Sequence, residues 1–118
     1  MMTVPKPGRP VRGSHTGRPI MALLDLLGRR WVMRIIWELR DTPLTFRQLR
    51  ECCDDMSPTV LNLRLRELRE TGILDTAESG GYTLSPSGAS LLKAMMPLLR
   101  WSEEWHKMLI SKEADAPG

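Results

Sequence analysis

Apolar residues recur at three- and four-residue spacing along most of the chain, a pattern that predicts helices. Pro19 suits the first position of a helix carrying Ile20, Leu23, Leu24 and Leu27 on one face, and Gly28 supplies its stop. A second helix, about Arg30 to Arg40, turns Val32, Ile35, Ile36 and Leu39 inward and ends at Asp41-Thr42-Pro43. Leu44-Thr45 is long enough only for a strand stub. Phe46 and Leu49, with Cys52 or Cys53, form the inner side of a short third helix.

Ser57-Pro58 is a strong helix start, with a hydroxyl acceptor at the N-cap and proline at the first turn. The helix from Pro58 to Thr71 lines up Leu61, Leu65 and Leu68, and Gly72 ends it. Ile73 to Glu78 and Tyr82 to Leu84 flank Ser79-Gly80-Gly81 and read as a small hairpin. Ser85-Pro86 opens the last helix, which runs through Leu91, Leu92, Met95 and Met96. Pro97 should kink it or split it in two before Leu98, Trp101, Trp105 and Leu109.

The predicted fold is therefore mainly α with a small β-hairpin, without internal repeats. Two short helices, the second firmly capped and followed at once by a hairpin, make a winged helix-turn-helix order. Residues 19–112 form this body. Residues 1–18 hold three of the nine prolines and show no hydrophobic period, so they are expected to be a disordered basic arm, and 113–118 a disordered tail.

At 118 residues the chain suits one domain with one modest core. Its apolar runs are broken every four or five residues, too short to cross a bilayer, and proline and glycine recur where a signal peptide needs an apolar stretch. A cytoplasmic protein without a membrane partner is expected. The only two cysteines, Cys52 and Cys53, are neighbours, which excludes a disulfide framework and a cysteine-rich zinc site.

Net charge is +3, unevenly spread. Lys6, Arg9, Arg12 and Arg18 give the arm +4, residues 19–74 carry nine basic and eight acidic side chains, and residues 75–118 carry four and six. A basic arm on a nearly neutral body suits a polyanion. Away from its leucine stripe, the fourth helix presents Thr59, Asn62, Leu63, Arg66 and Glu70. Asparagine pairs with adenine and arginine with guanine in the major groove, and the helix start favours phosphate. Taken alone, Arg64, Glu67, Arg69 and Glu70 also fit a solvated charged face; the order of elements around them favours DNA.

Three spaced segments, LLDLLGRRWVMRIIWELRDTPLTFRQLRE, MSPTVLNLRLRELRETGIL and YTLSPSG, lie along the run from about Leu24 to Ala89. In them the chain resembles the HxlR-type winged-helix transcription regulators, relatives of the MarR regulators. The resemblance implies a homodimer built mainly from the first and last helices, with two recognition helices entering successive major grooves of double-stranded DNA. Ser57, Pro58 and Thr59 would then anchor to phosphate, Asn62 and Arg66 read bases, and Leu63 make an apolar contact. Arg64 and Arg69 would flank the groove, with Thr45 and Arg47 on the backbone. Ile20, Leu23, Leu24, Leu98, Trp101, Trp105 and Leu109 would form the dimer seam. Repression is the expected outcome.

Three positions depart from the family's pattern. Arg18 stands where the family often has a cysteine before the first helix, so that thiol-sensing route is absent. The wing is short and flanked by Asp75 and Glu78, with no lysine or arginine. Leu63 occupies a position that the family keeps polar; either it touches a thymine methyl or the helix is rotated. The arm could replace the wing, because Gly8-Arg9-Pro10 and Gly17-Arg18-Pro19 share the core of minor-groove hooks, although motifs so short favour a non-specific phosphate-seeking tail.

The remaining features have two readings each. Cys52 and Cys53 precede the recognition helix, as a redox switch or as inert buried thiol. Trp101 and Trp105 suit a dimer seam or a pocket for a small-molecule effector. His15 and His106 lack neighbours at ligand spacing, so no metal is expected; neither a cofactor motif nor a catalytic one occurs, and an enzyme is not expected. A winged-helix protein–protein module that has lost DNA binding is the alternative, supported by the acid-flanked wing.

Overall fold

Leu61, Leu65 and Leu68, the stripe expected of the fourth helix, are each at most 1% exposed, and the other elements close around them. The computed structural model describes residues 4–11 and 17–115. Helices α1 (Pro19–Leu27), α2 (Val32–Glu38), α3 (Phe46–Cys52) and α4 (Pro58–Glu70) precede strands β1 (Leu74–Thr76) and β2 (Tyr82–Leu84), and α5 (Pro86–Asp115) ends the described chain. This is a winged helix-turn-helix. Val32, Ile35 and Ile36 of α2, Leu49 of α3, Cys53 and Leu74 are the most deeply buried of the other core residues, with Leu26, Leu39, Met56 and Ile73 around them.

Local chemistry explains the element ends. Thr45 and Gln48 form a capping box on α3: the Gln48 N–H donates to Thr45 Oγ1 at 3.1 Å and the Thr45 N–H to Gln48 Oε1 at 2.9 Å. Between α3 and α4, Asp54 and Asp55 adopt left-handed backbone (φ 57° and 53°), which short polar side chains tolerate. Arg50 secures this turn by donating to the Met56 carbonyl at 2.8 Å. Ser57 then caps α4, its hydroxyl accepting from the Val60 N–H at 3.4 Å.

The strands pair antiparallel, with Leu74 opposite Leu84 and Thr76 opposite Tyr82. The Leu44 stub bridges the other side of Tyr82 through two backbone bonds of 3.0 and 2.8 Å. Gly81 is required there, since a Cβ would lie 2.6 Å from the Leu44 carbonyl oxygen. The wing is thereby tied to the start of α3.

Several features differ from the expectation, and α2 ends at Glu38, short of Arg40. Trp31 is left-handed at φ 78°, so α2 begins at Val32 and not at Arg30. The strand expected over Ile73 to Glu78 shortens to Leu74–Thr76. Of the kink or split expected at Pro97, the split does not occur: α5 is one continuous helix of 30 residues, about 45 Å. Proline removes one backbone donor, and the carbonyl it strands belongs to exposed Lys93, where water can satisfy it. The helix also extends past residue 112 to Asp115. Of the segment whose composition predicts a disordered arm, residues 4–11 are described: Pro5 is buried and Lys6 reaches Glu70 at 4.0 Å, while residues 7–10 are exposed. Arg12 and His15 lie outside the described residues.

Candidate nucleic-acid interface

Helix α4 has one buried stripe and one bare flank. Thr59, Asn62, Leu63, Arg66 and Arg69 are exposed along it. Arg66 and Arg69 have neither hydrogen-bond nor ion-pair partners among the described residues. Leu63 is 44% exposed, and because the Leu61-Leu65-Leu68 stripe is buried as expected, no rotation of the helix accounts for it. Glu70, on the same flank, has Lys6 of the N-terminal segment beside it.

At the N-terminus of α4, Pro58 has no N–H and Val60 donates to Ser57. The Thr59 N–H is thus the amide left facing outward, fewer than the group of free amides expected. Thr45 is exposed but its hydroxyl is engaged in the α3 cap. Arg47 stands almost fully in solvent, 3.2 Å from Glu51. Arg9 and Arg18 are both exposed.

Arg64 departs from its expected role. Its Nε donates to the Arg30 carbonyl at 2.8 Å and its Nη1 to Glu67 Oε1 at 2.6 Å, so its side chain turns into the body and away from the bare flank. Burial, with Arg29 nearby, lowers its pKa. Glu67, expected on a solvated face, is buried between Arg64 and Arg29, and Asp25 lies 3.7 Å from Arg29. A signal existed in the sequence: Glu67 follows Val60 by seven residues and so shares its flank beside the leucine stripe, and Val60 is half-buried.

Burial pushes the Cys53 thiol up to about 11. Cys53 is the inward cysteine of the pair, and Cys52 is half-buried. Ile20 and Leu24 on α1 are 54% and 55% exposed. Leu98, Trp101, Trp105 and Leu109 are exposed on α5, with the two tryptophan rings stacked at 5.5 Å. Met108 and Ile110, which the helical period did not single out, are exposed beside them. Leu23 differs from its group: it is half-buried and lines a cavity of about 600 Å3 with Ala22, Leu26, Pro5, Ile73 and Leu91. Among the described residues no three potential metal ligands cluster, and no helix is long and apolar enough to cross a membrane.

Comparison with known proteins gives this geometry a family. The HxlR-like helix-turn-helix family matches residues 26–109. The transcriptional regulator YodB of Bacillus subtilis is 30% identical over 87 residues, covering 69% of this chain and 78% of its own. The regulator YvaP of the same organism is 27% identical over 88 residues, 70% of this chain and 82% of its own. Among solved structures, quinone-bound YodB superposes with a TM-score of 0.66 at 29% identity, over 72% of this chain and 94% of that one. A protein from Thermoplasma volcanium described as a possible HxlR-family transcriptional factor gives 0.64 at 27% identity, over 72% of this chain and 82% of that one. These relatives are transcription regulators and not enzymes. The chain belongs to the HxlR-like helix-turn-helix family of transcription regulators.

Proposed function

We propose that this chain is a homodimeric, sequence-specific DNA-binding repressor of the cytoplasm. One observation carries the reading: the flank of α4 opposite its buried stripe is exposed and holds Asn62, Arg66 and Arg69 without competing partners among the described residues. Asn62 and Arg66 offer the bidentate chemistry that reads adenine and guanine, and Leu63 offers a contact for a thymine methyl. The Thr59 N–H and Ser57 at the helix start, with Thr45 at the cap of α3 and Arg47 on it, would hold phosphates. Arg69 would flank the groove, and Lys6, Arg9 and Arg18, with Arg12, would add phosphate contacts from the arm.

The apolar strip of α5 and Ile20 and Leu24 of α1 would close the dimer, because so many large exposed side chains mark an association surface. Twofold pairing would present two α4 helices to half-sites about one helical turn apart. Occupying promoter DNA in this way blocks access, which is why repression is the sign proposed. YodB has been solved with quinone bound. For this chain we place a mainly apolar effector in the cavity between α1, the end of α4 and α5. The alternative, a protein–protein module, is favoured by the acid-flanked wing, where exposed Asp75 and Glu78 would repel phosphate.

The test is selection of bound duplexes from random fragments, followed by Arg66→Ala. The expected result is a palindromic site at which Arg66→Ala loses about 1–3 kcal/mol and relaxes discrimination. A protein that shows no sequence preference at either low or moderate salt is the interaction module instead.

A further inference from the structure

Asp25 on α1, Arg29 in the turn after it, and Arg64 and Glu67 on α4 form a cluster of two guanidiniums and two carboxylates inside the fold. Their side chains are 7%, 6%, 17% and 5% exposed. Glu67 is the hub: Oε2 accepts from Arg29 Nη1 and Oε1 from Arg64 Nη1, while Arg64 Nε reaches the Arg30 carbonyl at 2.8 Å. The Arg29–Glu67 and Arg64–Arg30 links span 38 and 34 residues and join the α1–α2 turn to one side of α4. Among the described residues they are the side-chain hydrogen bonds between that turn and α4.

We propose that Glu67, held by Arg29 and Arg64, is the positioning residue that sets the rotation of α4 against α1, and with it the register in which Asn62 and Arg66 meet base edges. This rests on the DNA-binding reading above. Leucine packing is non-directional, whereas paired guanidinium–carboxylate bonds fix direction as well as distance. The requirement for direction is geometric. A side-chain tip lies about 5–6 Å from the helix axis, so a 15° swing displaces it by about 1.5 Å. Binding groups need placement within about 0.5 Å.

The cluster is also positioned to carry information. Asp25 and Arg29 belong to α1 and its turn, and α1 presents exposed Ile20 and Leu24 elsewhere on its surface. Contact made through those residues therefore reaches the reading helix through a directional link. A buried ion cluster often adds little stability over an apolar replacement of equal volume, so directional specificity is a role that can be tested apart from folding.

Two variants make the test. Glu67→Gln keeps the shape and unbalances the charge. The neutral set Asp25→Asn, Arg29→Met, Arg64→Met and Glu67→Met removes the bonds with no change in net charge. Each is measured against the selected site and a random duplex, with circular dichroism and molecular mass as controls. The wild type must first prefer the selected site; if it does not, the DNA-binding reading falls on its own. The expected result for the neutral set is native helix content and mass, at least a tenfold loss at the selected site, and less than a twofold change on random DNA. Glu67→Gln should lose selected-site affinity in the same sense. Wild-type preference in the folded neutral set, or an equal loss on both duplexes, overturns the proposal. A neutral set that fails to fold assigns the cluster to stability and overturns it too.

Discussion

Gly88 in the first turn of α5 should be irreplaceable even by alanine, although alanine is the better helix former. A Cβ at residue 88 would lie 2.1 Å from the Ile73 carbonyl oxygen and 3.2 Å from Ile73 Cγ2. That carbonyl cannot swing away, because it accepts from the Ser85 N–H at 2.9 Å and lies 3.0 Å from the Ser85 hydroxyl, which also caps the Gly88 N–H at 2.9 Å. A carbon normally approaches a carbonyl oxygen to about 3.3–3.6 Å, so α5 must retreat by about 1.2–1.5 Å. Alanine gains about 1 kcal/mol in helix propensity. Overpacking costs about 1–3 kcal/mol and the disrupted Ser85 bonds about 1 kcal/mol each. The net is a loss of about 2–4 kcal/mol, which lowers the urea midpoint by about 1–2 M at a slope typical of small domains. The assay is urea unfolding at fixed protein concentration, since the stability of the proposed dimer would depend on it. Exposed Ser90→Ala serves as the propensity control. A Gly88→Ala protein as stable as the wild type would refute the packing argument.

Three further outcomes concern the thiol, the seam and the arm. Cys53 titrates near 9.0 when unfolded and about 11 when folded, so the unfolded chain gives up its proton first. Stability should be complete below pH 9 and decline towards pH 11, and Cys53→Ala should flatten that decline in alkaline denaturation curves. Trp101, 58% exposed beside Trp105, should anchor the proposed dimer; Trp101→Ala should weaken self-association by about 2 kcal/mol in sedimentation equilibrium, and an unchanged dimer would move the seam elsewhere. Deleting residues 2–17 should make the dependence of DNA affinity on salt shallower by about 0.9 for each phosphate that the arm had neutralised, whereas an unchanged slope removes the arm from the interface.

What could be read in advance was local. The Leu61-Leu65-Leu68 stripe, the Ser57-Pro58 and Ser85-Pro86 starts, the Gly72 stop and the short hairpin all depend on residues within a few positions of one another, and the structure follows them. Asn62 and Arg66 could be placed on the bare flank of α4 for the same reason, because helical period alone decides which positions oppose a buried stripe. Gly88 and Gly81 stood in the motifs, but nothing local showed that each faces a carbonyl from another element.

Tertiary structure decided the rest. Periodicity assigns a charged residue to a side of its helix but does not say whether an opposite charge waits there, and Arg29 and Glu67 are 38 residues apart. Hence Glu67 and Arg64 looked like surface groups and proved to be interior ones, while Arg66 two positions on remained bare. Pro97 gave a clear local signal for a break, yet the helix continues where its stranded carbonyl faces water. Sequence determines a residue's face through backbone geometry; only the folded chain determines what occupies the space opposite, because that depends on segments brought together from a distance.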